Sequence, residues 1–561
     1  MARRAREGAA EMTTTRCSSN PRGLILIVVL VVVVLLALLA ASYTFMVQAH
    51  VRATMTERDH FQARMAAQSG IERAVVLLRE NRNDPGKWYD NPAVFHGAIV
   101  YTESKDAARS ELIERETYDP SAPPTWRFSL MAPNYDNRST VRYGITDECS
   151  KININTATEE QLRRLFDLTI PRDSQHPVDI EVLVQSLLDW REPGEAARPS
   201  GAKSDYYQSQ RPPYRCKGAP FATVEELLMV RGFSGWVLYG EDYNRNGMLD
   251  PNEDDGTTTF PPDNSDGTLF VGLAPYLTLW SNETNLSADG RPKINLNMEN
   301  TQDLQAALEA EIRPELTSYV MQVRTGGTRF NSVMNLIPAP PPDPEEEGEV
   351  ESKKPSSQPV TSRPTGSQPT SQPSKGMSGD GRSGSSDQNA PGSEKSGKAP
   401  VFKDLTPTPP PGTYDDLPQI LDRLTVNPAP FLTGRINVST APREVLAAIE
   451  ELSPEQVTAI AAARSTLRPE DRTTAAWLLR SNAISENKFR QIFNKITTGS
   501  SAFTIESVGY ADHTGVVERI NVVLEMRGPM PQYLYTRNLA KLGPAYRPHG
   551  IEQRGTTERV R

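Results

Sequence analysis

At 561 residues the chain has room for two or three domains beside any membrane segment. Its formal net charge is −9, and residues 1–23 hold five arginines against two glutamates, so the remainder carries −12. An acidic body of that kind argues against a partner held through a phosphate backbone and is compatible with bound cations.

The leader carries Arg3, Arg4, Arg6, Arg16 and Arg22, and an uncharged run occupies residues 24–47. At ~1.5 Å per residue a helix of that length crosses the ~30 Å hydrocarbon core of a bilayer. The basic flank puts the N-terminus in the cytoplasm and everything after Val47 outside it. A secretory signal is cut after its apolar stretch, at small residues. Here the cut that the residues allow falls before the stretch, which would leave the apolar segment in the mature chain. The same residues also read as a single-span anchor that is never cut.

The spacing predicts a helix continuing past the membrane to about Asn81, because Phe61, Ala67, Ile71, Ala74, Val75 and Leu78 recur mostly at three- and four-residue steps. Strands follow at 97–102, 126–131 and 140–146, forming a sheet packed on that helix. A pattern of short strand, Asn or Thr cap and helix then occurs three times, starting at Lys151-Ile-Asn-Ile-Asn-Thr-Ala, Lys293-Ile-Asn-Leu-Asn and Arg435-Ile-Asn-Val-Ser-Thr-Ala. Thr223 and Glu226 stand at capping-box spacing. Residues 338–412 are Pro-, Ser- and Gly-rich and read as a disordered linker between the second and third modules. A hairpin over 502–511 and 516–526, turned at His513-Thr-Gly, would complete the first sheet, and the polar tail follows Gly543.

The expected fold class is therefore α+β, with a membrane and stalk helix, an antiparallel sheet, and inserted helical modules. The expected divisions are leader 1–23, span 24–47, stalk and first strands 48–150, helical modules 151–337, linker 338–412, third module 413–500, closing strands 501–543 and tail 544–561.

Residues 242–253 match the twelve-residue calcium loop. Oxygen ligands fall at Asp242, Asn244 and Asn246, with Gly247 at the sharp turn. The Met248 carbonyl serves the seventh position, Asp250 the ninth, and Glu253 binds with both oxygens, while Leu249 pins the loop to a core. Pro251 and the Gly-rich text after Asp254 depart from a paired regulatory hand, so the site reads as structural; Asp254 and Asp255 are weaker candidates for a further cation. Cys17 would leave with the leader, and for Cys149 and Cys216 a bridge and two buried thiols are both compatible with an oxidising compartment. His50, His60, His96, His176, His513 and His549 are scattered and form no triad or metal spacing. Asp189 and Glu192 sit at a helix end, where pairing with Arg191 or a neighbouring helix terminus is the ordinary role. No catalytic or organic-cofactor site is expected.

Arg22-Gly23-Leu24 resembles the cleavage site of type IV prepilins and type II secretion pseudopilins. Together with Ala66-Ala-Gln-Ser-Gly-Ile-Glu-Arg-Ala, Ile152-Asn-Ile-Asn-Thr-Ala, Leu188-Asp-Trp-Arg-Glu-Pro, Asp205-Tyr-Tyr, Pro213-Tyr-Arg, Thr223-Val-Glu-Glu-Leu-Leu-Met-Val-Arg-Gly and Ile436-Asn-Val-Ser-Thr-Ala-Pro-Arg-Glu-Val-Leu, it resembles the protein K family of large minor pseudopilins. The resemblance implies a pilin-like sheet interrupted by helix-hairpin-helix (SAM-like) modules, and calcium binding. It also implies prepilin-peptidase processing with methylation, and an inner-membrane protein whose body lies in the periplasm. The implied function is capping the pseudopilus tip and helping to initiate its assembly for protein export, with minor pseudopilins of the I and J classes as partners and no nucleic acid. Val28 stands where most pilin-like subunits carry Glu at the fifth mature position; a tip subunit has no neighbour ahead whose ammonium that Glu would neutralise, and an unpaired carboxylate in lipid is costly. The alternative is a membrane-anchored DNA receptor of competence type, since Ile-Asn-Ile-Asn-Thr-Ala also resembles helix-hairpin-helix proteins. Val230-Arg-Gly-Phe-Ser-Gly is its nearest phosphate-binding hairpin, and the third module offers Glu450-Glu-Leu-Ser-Pro-Glu in the same place.

Overall fold

The computed structural model describes residues 21–102, 125–135, 137–138, 140–172, 176–260, 262–339, 408–411, 413–511, 515–528 and 530–543, and the side chains from residue 26 to residue 100 and onward within those ranges. Leader residues 1–20, nearly all of the predicted linker, His513 and Thr514 of the predicted turn, and the tail lie outside the described residues.

Helix α1 (Pro21–Asn81) runs unbroken through 61 residues. Among the described residues it is the one helix long and apolar enough to cross a membrane, and its apolar stretch is exposed throughout. Farther along, Ala63, Ala66, Ala67, Ile71, Ala74, Val75 and Leu78 turn inward and are buried. The small residues on this face bring backbones together: a Cβ on Gly509 would lie 1.9 Å from the Ala63 carbonyl oxygen.

The surface that α1 meets is an antiparallel sheet built from both ends of the chain. Its strands are β1 (Ala98–Thr102), β2 (Thr125–Leu130), β3 (Thr146–Asp147), β4 (Ala502–Ala511), β5 (Val517–Glu525) and β6 (Gln532–Asn538). The order is β1-β2-β4-β5-β6, with β3 pairing the start of β4. Val508 of the central β4 lies between Ser129 of β2 and Arg519 of β5. Phe503, Ile505, Ile520, Val522 and Leu524 face α1 in one apolar core. The opposite face carries Glu506 and Arg519 and is covered by the middle of the chain. The strand expected over 140–146 is broken in two, Val141–Arg142 and β3. The break falls at Gly144, where a Cβ would lie 2.1 Å from the Tyr89 carbonyl oxygen.

The three repeated segments each close on a parallel two-residue ladder. Ile152–Asn153 pairs with Leu277–Thr278, Ile294–Asn295 with Leu424–Thr425, and Ile436–Asn437 with Ile496–Thr497. The first module holds α2 (Glu159–Thr169) and α3 (Ile180–Arg191), the second α4 (Thr301–Glu311) and α5 (Pro314–Thr325), the third α6 (Arg443–Ala447) and α7 (Pro454–Thr466). Residues 413–425, grouped by composition with the third module, thus pair with the second; the chain leaves after residue 339 and returns at 408 to the module it left. The modules share one continuous apolar core, from Ile152 to Ile496.

The Asn residues of the repeat shape each turn. The side-chain oxygens of Asn153, Asn295 and Asn437 accept the N–H two residues on, at 3.0, 2.9 and 2.9 Å. The second Asn reaches across the module: Asn155 exchanges two hydrogen bonds with the Phe221 backbone, and Asn297 does the same with Phe330. The third module has Ser439 at this position, and its buried hydroxyl finds no partner. Behind each turn an arginine of the second helix donates to a carbonyl: Arg191 to Ile154 and Ala157, Arg324 to Met298, and Arg464 to Ala441, at 2.6–3.0 Å.

Candidate metal loop

Residues 242–253 leave the short helix Gly235–Tyr239 and end in a single 3-10 turn, Pro251–Glu253. Pro251 stands at the first position of that turn, where a missing N–H costs nothing. Arg245 (φ +58°) and Gly247 (φ +73°) take left-handed conformations that fold the segment tightly on itself. A Cβ on Gly247 would also meet the Pro133 ring carbon at 2.8 Å.

The oxygens expected as ligands are held by the loop's own amides. Asp242 accepts from the N–H of Asn246 (3.0 Å) and of Gly247 (2.9 Å), and Asn244 also accepts from Asn246 N–H (3.0 Å). Asn246 accepts from Met248 N–H at 2.6 Å, and Glu253 spreads its two oxygens to the N–H groups of Tyr243 (2.9 Å) and Asp250 (3.1 Å). The amide groups of Asn244 and Asn246 both donate to Asp250. Asp242, Asn246 and Glu253 are buried. Burial outweighs the donated hydrogen bonds and pushes the Asp242 carboxyl up to about 6 and Glu253 up to about 7. Among the described residues no three Asp, Glu, His or Cys side chains converge as a preformed cluster. The remaining donors of this loop are amide and main-chain oxygens, a set that suits a hard divalent cation, and two buried carboxylates give such a cation its counter-charge.

The loop is seated on both sides. Met248 packs against Met131, Val508 and Tyr510 of the sheet unit, while Leu249 packs into the module core. From β5 the fully buried Arg519 donates to Asn244 O (2.5 Å) and Arg245 O (2.9 Å), and its Nε is paired with Glu506 at 2.5 Å. Neither Arg519 nor Glu506 was anticipated. The available signal was an arginine beside the apolar run of a strand, Val517–Glu525, a residue type almost never fully buried unless paired.

The weaker cation candidates are occupied by backbone donors: Asp254 accepts from Gly267 N–H and Asp255 from Thr259 N–H. Gly23 and Leu24 fall in the first turns of α1, and Val28 is exposed on it. Cys149 and Cys216 are separate thiols, donating to the carbonyls of Asn282 and Asp189 respectively; Cys149 lies fully buried where the first module leaves the sheet, Cys216 beneath α3. Of the two helix-end carboxylates, Glu192 lies 3.9 Å from Arg191 as expected, whereas Asp189 pairs with Arg198 at 2.7 Å; Arg191 also donates to the Ile154 and Ala157 carbonyls. The expected capping box does not form: Glu226 instead takes the Trp190 indole N–H, Lys217 and the Ala222 N–H, and Thr223 makes no side-chain cap. His60 meets Glu518 at 2.9 Å, and His176 stacks on Trp236.

Residues 143–238 match the family model described as type II secretion system (T2SS), protein K. The match spans α2 and α3 and stops just short of the metal loop. No curated protein matches the chain. Among solved structures, the chain aligns with one from the crystal structure of the GspK-GspI-GspJ complex of the enterotoxigenic Escherichia coli type 2 secretion system. Identity is 11%, the alignment covers 87% of this chain and 99% of that one, and the TM-score is 0.30.

Proposed function

We propose, from the match of residues 143–238 to the type II secretion system protein K model, that the protein is a minor pseudopilin, anchored by α1 in the inner membrane with its body in the periplasm. It caps the pseudopilus tip and helps initiate assembly, in contact with minor pseudopilins of the I and J classes. The observation that carries this reading is the union of that domain with an apolar helix that runs unbroken into a helix-packed antiparallel sheet. The sheet is read as the pilin-like unit, and the three modules between β3 and β4 as its helical insertion. The bulk of that insertion acts sterically, blocking a further subunit from stacking above. Apolar Val28 suits a subunit with no neighbour ahead of it.

Asp242, Asn244, Asn246, the Met248 carbonyl, Asp250 and Glu253 would hold calcium, which would neutralise the buried carboxylates and stabilise the folded loop by mass action.

The competence-type alternative needs a glycine hairpin open to phosphate. In the Val230–Gly235 turn, Gly232 packs on Leu183 and Arg231 donates to the Gly201 carbonyl, which disfavours that reading.

Mass spectrometry of the N-terminal peptide of the membrane-extracted protein tests the proposal. A methylated peptide beginning at Leu24 is expected. An intact leader through Gly23 would mean an uncut anchor and would overturn the tip assignment.

A further inference from the structure

Arg519 is the most deeply buried arginine described in the sheet unit, and it donates to two main-chain oxygens of the insertion. Its strand belongs to the sheet, and its two carbonyl partners belong to the metal loop. Asn244 is thereby used twice: its side-chain oxygen faces the candidate metal set and its carbonyl accepts from Arg519. Arg245 supplies the second carbonyl from a left-handed residue whose guanidinium lies 3.8 Å over the Tyr239 ring. Glu506 fixes the other edge of the Arg519 guanidinium, and Asn521 donates to Glu506 in turn. This buried fork cannot follow the loop if the loop changes shape, because its Nε is tied to a strand in the centre of the sheet.

We propose that Arg519 is a latch that couples cation occupancy of the 242–253 loop to the seating of the inserted modules on the sheet. The inference rests on the calcium reading of the loop. Without a cation, the buried carboxylates of Asp242 and Glu253, with the half-buried Asp250 beside them, repel one another and loosen the turn that presents the two carbonyls. Arg519 then loses two charge-assisted bonds inside the interface, where an unpaired donor is costly. Coupling of this kind is reciprocal, so a change at Arg519 must weaken cation binding.

The test is calcium titration by calorimetry on the detergent-solubilised full chain, with amide hydrogen exchange measured with and without calcium. The wild type is expected to bind calcium and to gain protection at residues 519–521 of β5 as well as within the loop. Arg519→Lys keeps the charge but cannot span both carbonyls, and is expected to weaken calcium binding about tenfold, as loss of outer-shell partners does elsewhere. Glu506→Gln should weaken it in the same direction by a smaller factor. Wild-type affinity in both variants would overturn the latch and leave the calcium reading standing. Calcium-dependent protection confined to the loop in the wild type would do the same, and this arm needs no variant to fold. A wild-type chain that takes up no calcium would overturn both.

Discussion

Leu424 lies opposite Ile294 in a parallel ladder, so the second module is completed by chain that arrives from the far side of residues 340–407. Both ends of that excursion are tied down. Arg490 donates to the carbonyls of Met334, Ile337 and Pro338 at the exit, and Arg313 holds Pro411 O and Asp416 at the return. Replacing 340–407 with a Gly/Ser bridge of about 20 residues should leave the thermal midpoint of the protein within a few degrees, since closure entropy changes slowly with loop length. A large fall on calorimetric melting would show that the removed residues contribute to the fold.

Arg464 reaches the Ala441 carbonyl from inside the module core. Arg464→Met keeps most of the bulk and removes the donor, leaving a buried carbonyl unpaired, and should cost about 1–3 kcal/mol. Arg191→Met strips two carbonyls of their donor and should cost at least as much. Denaturant melts of the two variants check both, and an unchanged midpoint would mean that the turns hold themselves.

Much of this architecture could be read before any coordinates. Residue spacing located α1 to its last residue, and alternation located β2, β4 and β5, because these elements bury one face against a single partner. The edge strand β6 was missed since most of its residues stay exposed or half-exposed, which erases the alternation. Tertiary partners were the hardest to foresee. The loop residue Arg198 claims Asp189 only once the chain folds back on α3, and the ladder Leu424–Thr425 is too short to carry a pattern of its own. For the candidate metal loop the spacing of the oxygen-bearing residues was plain in the sequence, but its contact with Arg519 was not, because a charged residue in a strand ordinarily reads as solvent-facing.

Asp147 joins the sheet to the third module. It pairs with Phe503 through its backbone while its fully buried carboxylate accepts from Asn437, Thr440 and the Cys149 N–H. Burial pushes its carboxyl up to about 6 from an ordinary 3.8, despite those donors. A carboxyl raised on folding binds its proton more tightly in the folded state, so its contribution favours folding below pH 4 and is lost as pH rises toward 6 and beyond. Measured against Asp147→Asn, the wild type should therefore lose about 2.4 kcal/mol of relative stability between pH 4 and pH 7, at about 1.4 kcal/mol per pKa unit in the fully protonated limit. A pH-independent difference between the two proteins would refute this.

On the calcium reading, chelation should act through the 242–253 loop. With calcium at about one hundred times its dissociation constant, stability should exceed that of the chelated protein by about 2.7 kcal/mol. Asp242→Asn and Glu253→Gln should abolish most of that increment, read as the shift in melting temperature on adding calcium. A wild-type melt indifferent to chelator would remove calcium from the account.

The sheet draws its centre from the end of the chain, and this sets an order of events. Ser129 and Val508 are neighbours on adjacent strands although roughly 380 residues separate them, a contact of very high sequence separation. A chain made from its N-terminus onward has α1, β1 and β2 long before β4 exists, and the apolar faces that meet β4 and β5 stay uncovered until the final strands are made. The modules, whose helix pairs are local in sequence, can be assembled by then. During that interval the inward face of α1 lacks its cover, and a chain stopped before residue 502 would carry its modules on an unfinished sheet.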